Sequence, residues 1–358
     1  MIIRANRSWH VICVPFKGAT MADKFMIYGA TGYTGRLTAR TAVQQGLRPI
    51  LAGRNREKVA ALAQELRLEG RAIALDDSAG LDAALREVAV VLHCAGPFSQ
   101  TYPPMAAACL RTGTHYLDIT GEIAEHEALA GRDAEARAAG VMLLPSAGYD
   151  VVPSDCLAAH LKRRLPSATH LALAFSSAGG SSRGTAITGT EMVNRAGLVR
   201  RNGVITPVPA GWKSRTVDFG RGPVACVTIP WGDLATAYRS TGIPNIETYV
   251  AVPKAAQWAL KSARVLGKPL STPMGQRLLR ALVGLMPEGP TDAQRASGYS
   301  LLWAEVTDAA GNRAVSRMRT PHAYTLTAEA SLLIVRRVLA GDVHPGYQSP
   351  ASAYGPDL

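Results

Sequence analysis

Residues 24–45 read KFMIYGATGYTGRLTARTAVQQ, a short apolar run at 24–28, glycines at 29, 32 and 35, and a helix-forming stretch from 36 to 45. This order is strand, glycine loop, helix. Gly29 permits the tight turn, Gly32 lets the backbone approach a pyrophosphate, and Gly35 allows the helix to pack closely on the strand. Thr31, Tyr33 and Thr34 fill the same loop, and the helix start directs its N–H groups at the phosphates. Around this loop the spacing predicts a doubly wound α/β Rossmann domain.

Outward from the loop, Gly46 closes the first helix, and residues 48–52 form a second strand ending in Gly53-Arg54-Asn55-Arg56. An NAD site usually holds the ribose hydroxyl with a carboxylate here, whereas NADP needs positive charge for its 2′-phosphate. No carboxylate is present. Arg54 offers a guanidinium and Asn55 a hydrogen bond, so NADPH is the expected cofactor. Strands at 71–75, 88–93, 115–119 and 141–144 alternate with helices at 81–87, 105–111 and 123–139, which predicts six parallel strands. Asp76 and Asp77 end the third strand, where a carboxylate either reaches the adenine or caps the next helix. Cys94-Ala95-Gly96-Pro97 follows the fourth strand, and its small residues let backbone lie against the cofactor. Pro103 and Pro104 suit a helix first turn.

Composition bounds the alternatives. The 358 residues, 47% hydrophobic and 18% charged, have room for two folded domains. The net charge of +12 is dispersed along the chain, which argues against nucleic acid. Cys13, Cys94, Cys109, Cys156 and Cys226 lack any C-x-x-C pair, so a reducing cytoplasm is expected, without disulfides or zinc. Glu122, Glu125 and His126 come nearest to a ligand set, but read better as a solvated helix start, and no metal is expected. Residues 1–20 read as a loosely attached extension, with neither a signal-peptide core nor a membrane span.

Several stretches beyond the glycine loop are more specific: GATGYTG at 29–35, LAGR at 51–54, AGPF at 95–98, AAACLRTGTHYLDITGE at 106–122, SAGYDVVPSD at 146–155 and GYQSPASAYGPD at 346–357. On these the chain resembles the saccharopine-dehydrogenase-like oxidoreductases, a group that includes saccharopine reductases and trans-acting enoyl reductases. The resemblance implies an NADP-binding Rossmann domain (21–150), a second α/β domain carrying the substrate site (151–320), and a C-terminal helix and tail (321–358) returning to the first domain. It leaves the substrate open.

In the second half, Ser154 is expected to cap a helix over 156–164, with Asp155 in its first turn. Tyr149 and Asp150 stand in the inter-domain loop, where clefts gather catalytic groups. Arg183, in the SSAGGSSRGT loop at 176–185, suits a substrate carboxylate or a thioester-linked phosphate, ahead of a helix at 185–195. These three are the candidate catalytic residues. Basic, apolar-faced segments between 254 and 286 fit core or dimer packing, or peripheral contact with lipid. A hairpin over 301–319 and a helix over 328–339, capped by Thr327, complete the chain. A homodimer acting on a small molecule, with a lipid or acyl thioester among the candidates, is expected. Two functions fit: hydride transfer between NADPH and a carbonyl, imine or activated alkene, or a non-catalytic module sensing NADP(H). A short-chain dehydrogenase is disfavoured, since no Tyr has Lys four residues on; Tyr249 and Lys254 are one residue too far apart.

Overall fold

The computed structural model describes residues 24–178, 180, 182–184, 197–252 and 287–358. The extension at 1–20, the helix expected at 185–195 and the basic segments at 254–286 lie outside the described residues. The first six strands are β1 (Phe25–Tyr28), β2 (Ile50–Gly53), β3 (Gly70–Ala72), β4 (Val90–His93), β5 (His115–Asp118) and β6 (Met142–Leu144). Their spatial order, β6-β5-β4-β1-β2-β3, is the doubly wound order, and every pairing is parallel. Both faces are covered, which explains why the strands read as apolar runs. Phe25 and Ile27 pack into one layer with Leu332 and Val335, while Met26 and Tyr28 pack into the other with Leu81 and Met105.

A second sheet contains β7 (His170–Ala178), β8 (Gly197–Arg201), β9 (Val204–Val208), β10 (Ser214–Asp218), β11 (Pro223–Thr228), β12 (Asn245–Ala251), β13 (Tyr299–Thr307) and β14 (Arg313–Pro321). The order is β10-β11-β12-β7-β13-β14, with β8 joining β12 to β9, and only β12 and β7 are parallel. The helices Val152–Arg164 and Asp233–Thr241 cover one face through Leu157, Leu161, Leu234 and Ala237. The expected hairpin is β13 and β14, turned by Asp308, whose carboxylate accepts from the amides of Ala310 and Asn312. The chain then returns: β15 (Gly346–Tyr347) adds to β6 as a seventh parallel strand.

Several boundaries differ from expectation for identifiable reasons. The helix holding Pro103 and Pro104 begins at Phe98, so both prolines are interior, and the Thr101 hydroxyl serves the carbonyls of Ala95 and Pro97. The stretch 123–139 forms two helices, Ile123–Ala130 and Asp133–Ala138, which lets Asp133 accept the Tyr347 amide at 2.8 Å. Ser154 is not a cap, because the helix starts at Val152 and the Ser154 hydroxyl donates back to Val151 O. Asp155 instead ties elements together, accepting from Ser240 Oγ at 2.5 Å and Ala351 N at 2.9 Å. The last long helix, Ala323–Leu339, begins a turn early with His322 as its cap. Thr327 lies inside it, where its hydroxyl accepts the Tyr149 amide at 3.0 Å.

Candidate active site

At the carboxyl end of β1 the chain turns through Gly29 at φ +80°, where a Cβ would stand 2.6 Å from the Ala95 nitrogen. A Cβ on Gly35 would meet the Gly29 carbonyl at 2.3 Å, so helix and strand touch as the glycine spacing requires. Gly32 differs: its nearest neighbour is the same carbonyl at 3.4 Å, and the remaining space is open. It is the N-cap of the helix Tyr33–Gln44, which has neither a side-chain cap nor an acid in its first turn. Such a terminus leaves N–H groups and the positive end of the helix dipole available to an anion.

These residues open into a cavity of about 1170 Å³. Its cofactor half is lined by Gly29, Thr31, Gly32, Tyr33 and Thr34, by Arg54 from β2, by Asp76, and by Ala95, Gly96 and Pro97 after β4. The two aspartates divide the roles left open by the sequence: Asp77 caps the next helix by accepting from Gly80 N at 2.9 Å, and Asp76 faces the cavity. Asn55 is the N-cap of the helix Arg56–Leu66, accepting from Lys58 N at 2.9 Å, and does not line the cavity. Gly35 lies behind the wall, where it sets the packing. The uncapped helix start, the open space at Gly32 and the guanidinium at the β2 end fit NADP, the group the loop implies.

The other half is walled by Thr120, Gly121 and Glu122 after β5, by Asp150 and Arg183, and by Leu198, Trp231 and Tyr324. Asp150 and Arg183 are thus brought to one cavity, with Arg183 N donating to Glu288 O at 3.1 Å. Tyr149 is not. Its ring packs into the core of the second sheet and its hydroxyl pairs with Ser177 Oγ at 3.1 Å. Thr327 tethers its amide while Ser177 holds its hydroxyl on the side of the second sheet.

Burial pushes the Asp150 carboxyl up to about 6. Behind the β5 loop, Asp118 accepts from Tyr116 Oη at 2.6 Å, Thr120 N at 2.9 Å and Ser146 N at 2.8 Å, which fixes both connections after β5 and β6. Glu125 lies beside it, buried, and burial followed by the Asp118 charge pushes it up to about 11. Burial also raises Asp118, but its three hydrogen bonds favour the charged form, so Glu125 keeps the proton. His126 is buried too, pairing with Ser146 Oγ at 2.7 Å and Tyr347 Oη at 2.8 Å, and burial pushes it down to about 3. The solvated helix start expected from Glu125 and His126 is therefore corrected: both are structural and inside. Among the described residues no group of three His, Cys, Asp or Glu side chains is placed to hold a metal.

Glu288, Trp231 and Tyr324 carry no motif, and sequence reasoning passed over them. Trp231 stacks obliquely on Phe175, 4.7 Å between ring centroids, and Tyr324 meets Tyr33 edge-on at 5.2 Å. Only tertiary structure brings Trp231, Tyr324 and Tyr33 to one cavity.

Residues 25–144, which carry this loop and all six first strands, match the saccharopine dehydrogenase NADP binding domain family. The likeness lies in the N-terminal part, about a third of the chain. The chain is also 36% identical over 148 residues to the trans-acting enoyl reductase of Mycobacterium leprae (strain TN), a match covering 39% of this chain and 35% of that protein. It is 32% identical over 149 residues to that of Mycobacterium ulcerans (strain Agy99), covering 39% and 36%. The matched region thus spans about a third of the length of these relatives. In fold, the chain resembles apo saccharopine dehydrogenase (L-Glu forming) from Saccharomyces cerevisiae, with a TM-score of 0.66 at 13% identity over 94% of this chain and 95% of that one. A homospermidine synthase from Legionella pneumophila in complex with NAD gives 0.61 at 10% identity over 94% and 87%. Both likenesses concern the fold, and both cover 94% of this chain. Among the described residues no helix is long and apolar enough to cross a membrane.

Proposed function

We propose that this chain is an NADPH-dependent oxidoreductase acting on a polarised C=C, C=O or C=N bond, with an enoyl thioester as the leading substrate class. One observation carries the reading: a single cavity joins the glycine loop and Arg54 to a chamber walled by Leu198, Trp231, Asp150 and Arg183. NADPH, when bound, supplies the hydride; the protein orients it, excludes water and handles the proton.

The N–H groups at the start of the helix Tyr33–Gln44 would hold the pyrophosphate, and Arg54 the 2′-phosphate. The backbone at Ala95 to Pro97 would lie along the central part of the cofactor. On the substrate side, Leu198 and Trp231 suit an apolar acyl group, and Arg183 suits the phosphate of its thioester carrier. The names of the mycobacterial relatives support the enoyl substrate. In this reading residues 151–320 supply the substrate half, and the protein works in the cytoplasm as a homodimer. Peripheral lipid contact falls to the segments at 254–286.

The test is NADPH consumption, followed by absorbance, against enoyl thioesters of increasing chain length, ketones and imines. Turnover of the enoyl thioesters is expected. Tight NADPH binding with no substrate reduced overturns the proposal in favour of a sensing module.

A further inference from the structure

We propose that Asp150 is the catalytic acid that delivers the proton accompanying hydride transfer in this cavity. The inference rests on the oxidoreductase reading and adds the proton donor that motif comparison leaves unnamed.

The buried carboxyls of this chain separate by what they touch. Asp118 is held by Tyr116, Thr120 and Ser146, and Asp155 by Ser240 and Ala351. Glu125 and Asp233 are buried away from the cavity lining. Among the described residues, Asp150 is the carboxyl that joins a half-buried place on the cavity wall, where desolvation raises it, to the absence of any hydrogen bond or ion pair with another described residue. Gly121 makes room for it: a Cβ there would lie 3.3 Å from Asp150 Cβ. Carboxyls with no structural partner, aimed into a largely apolar cavity, mark proton-transfer sites.

Other proton-bearing groups fit the task less well. Burial pushes the Cys94 thiol far up, away from useful acidity. The Tyr149 hydroxyl is engaged with Ser177, away from the cavity lining. Tyr149 and Asp233 lie near enough to feel the Asp150 charge, while Glu122, Arg183, Arg54, Asp76 and Glu288 are the charged groups that share its cavity wall. Burial raises both Tyr149 and Asp233, and desolvation is what raises Asp150.

The step balances. Bound NADPH would supply the hydride, two electrons and a hydrogen, to the electrophilic atom of the substrate double bond and leave as NADP+, with the π electrons moving to the other atom. That atom takes the Asp150 proton, and the resulting carboxylate is reprotonated from water. Reduction therefore requires protonated Asp150 and slows as pH rises through about 6.

The experiment compares the wild-type full chain with Asp150→Asn. Expected are unchanged melting, unchanged NADPH affinity and a loss of turnover of about 10²- to 10⁴-fold, the range of general acid catalysis. Independently of activity, the protonated-carboxyl infrared band that is present in cofactor-free wild type and missing from the variant should titrate near pH 6. Wild-type turnover by D150N, or a band titrating in the ordinary carboxylate range near about 4, overturns the assignment. Should D150N fail to fold, the wild-type pH profile decides: a fall in kcat/KM through about 6 supports it, and a flat profile overturns it. A wild type that binds NADPH but reduces nothing overturns the oxidoreductase reading itself, whereas a reducing wild type matched by D150N removes only Asp150.

Discussion

Gly32 and Gly35 are three residues apart on one loop, yet the space around them predicts opposite consequences of adding a side chain. At Gly32 a Cβ meets only the Gly29 carbonyl at 3.4 Å, with the backbone at an ordinary φ of −74°. Gly32→Val should fold with unchanged melting and lose NADPH binding, because the branched side chain fills the pyrophosphate's approach path. At Gly35 the added atom falls 2.3 Å from that carbonyl, so Gly35→Ala should cost about 1–3 kcal/mol of stability by forcing helix from strand. Thermal unfolding and calorimetric titration of both variants check the pair; normal NADPH binding by Gly32→Val would place the cofactor elsewhere. Arg54 allows a third comparison. The cavity should bind NADPH about tenfold or more tightly than NADH, and Arg54→Ala should remove most of that preference by taking away the partner of the 2′-phosphate. Equal affinities of the unaltered protein for the two cofactors would sink the NADP assignment.

Among the elements, the pair of connections after β5 and β6 decides how much of the site a sequence can reveal. Its backbone is held by Asp118, whose carboxylate gathers the amides of Thr120 and Ser146, and Glu125 supplies the proton on the pair. Because Glu125 is protonated in the fold and ionised in the unfolded chain, its folded value is raised. The unfolded chain then binds fewer protons above about 4.3, the unperturbed value, and stability falls as pH rises from there towards about 11. Glu125→Gln keeps the shape and removes the titration. It should raise the melting temperature at neutral pH and flatten the decline towards alkaline pH. Melting curves over a pH series measure this, and parallel slopes for both proteins would show that Glu125 does not carry the effect. The glycine loop, the strand alternation and Arg54 were legible because local spacing fixes them. Glu125 and His126 were not, since a Glu-x-x-Glu-His run reads identically whether the helix faces water or the inside. Tyr149 misled for a related reason: local sequence does not say which of two adjacent loop residues enters the cavity, and Thr327, which holds the Tyr149 amide, comes from 178 residues away.

Across the whole molecule, the segment entering β13 crosses back over the cofactor half and brings a negative charge to the place where the pyrophosphate is expected. The Tyr33 hydroxyl donates to Pro290 O at 2.5 Å and accepts from Arg295, while Glu288, on the cavity wall, is ion-paired with Arg36 in the first helix after the glycine loop. The Arg36 charge holds Glu288 below its ordinary range, so the carboxylate is ionised at neutral pH. An incoming pyrophosphate meets this carboxylate at the same helix start that attracts it. Removing the charge while retaining the shape, by Glu288→Gln, should therefore tighten NADPH binding, since Arg36 is released towards the phosphates and the repulsion disappears. The size is bounded by exposure: the Glu288 side chain is 62% exposed, and exposed pairs are worth about 0.2–1 kcal/mol, so a gain of up to about fivefold in Kd is expected, shrinking as salt is added. Tyr33→Phe, which cuts the neighbouring link and leaves the charges in place, should not tighten binding. Calorimetry of the two variants at low and high salt separates charge from tethering. If Glu288→Gln weakens NADPH binding instead, the ion pair serves to hold the second domain over the cofactor, and its loss loosens the walls of the cavity that the cofactor and substrate share.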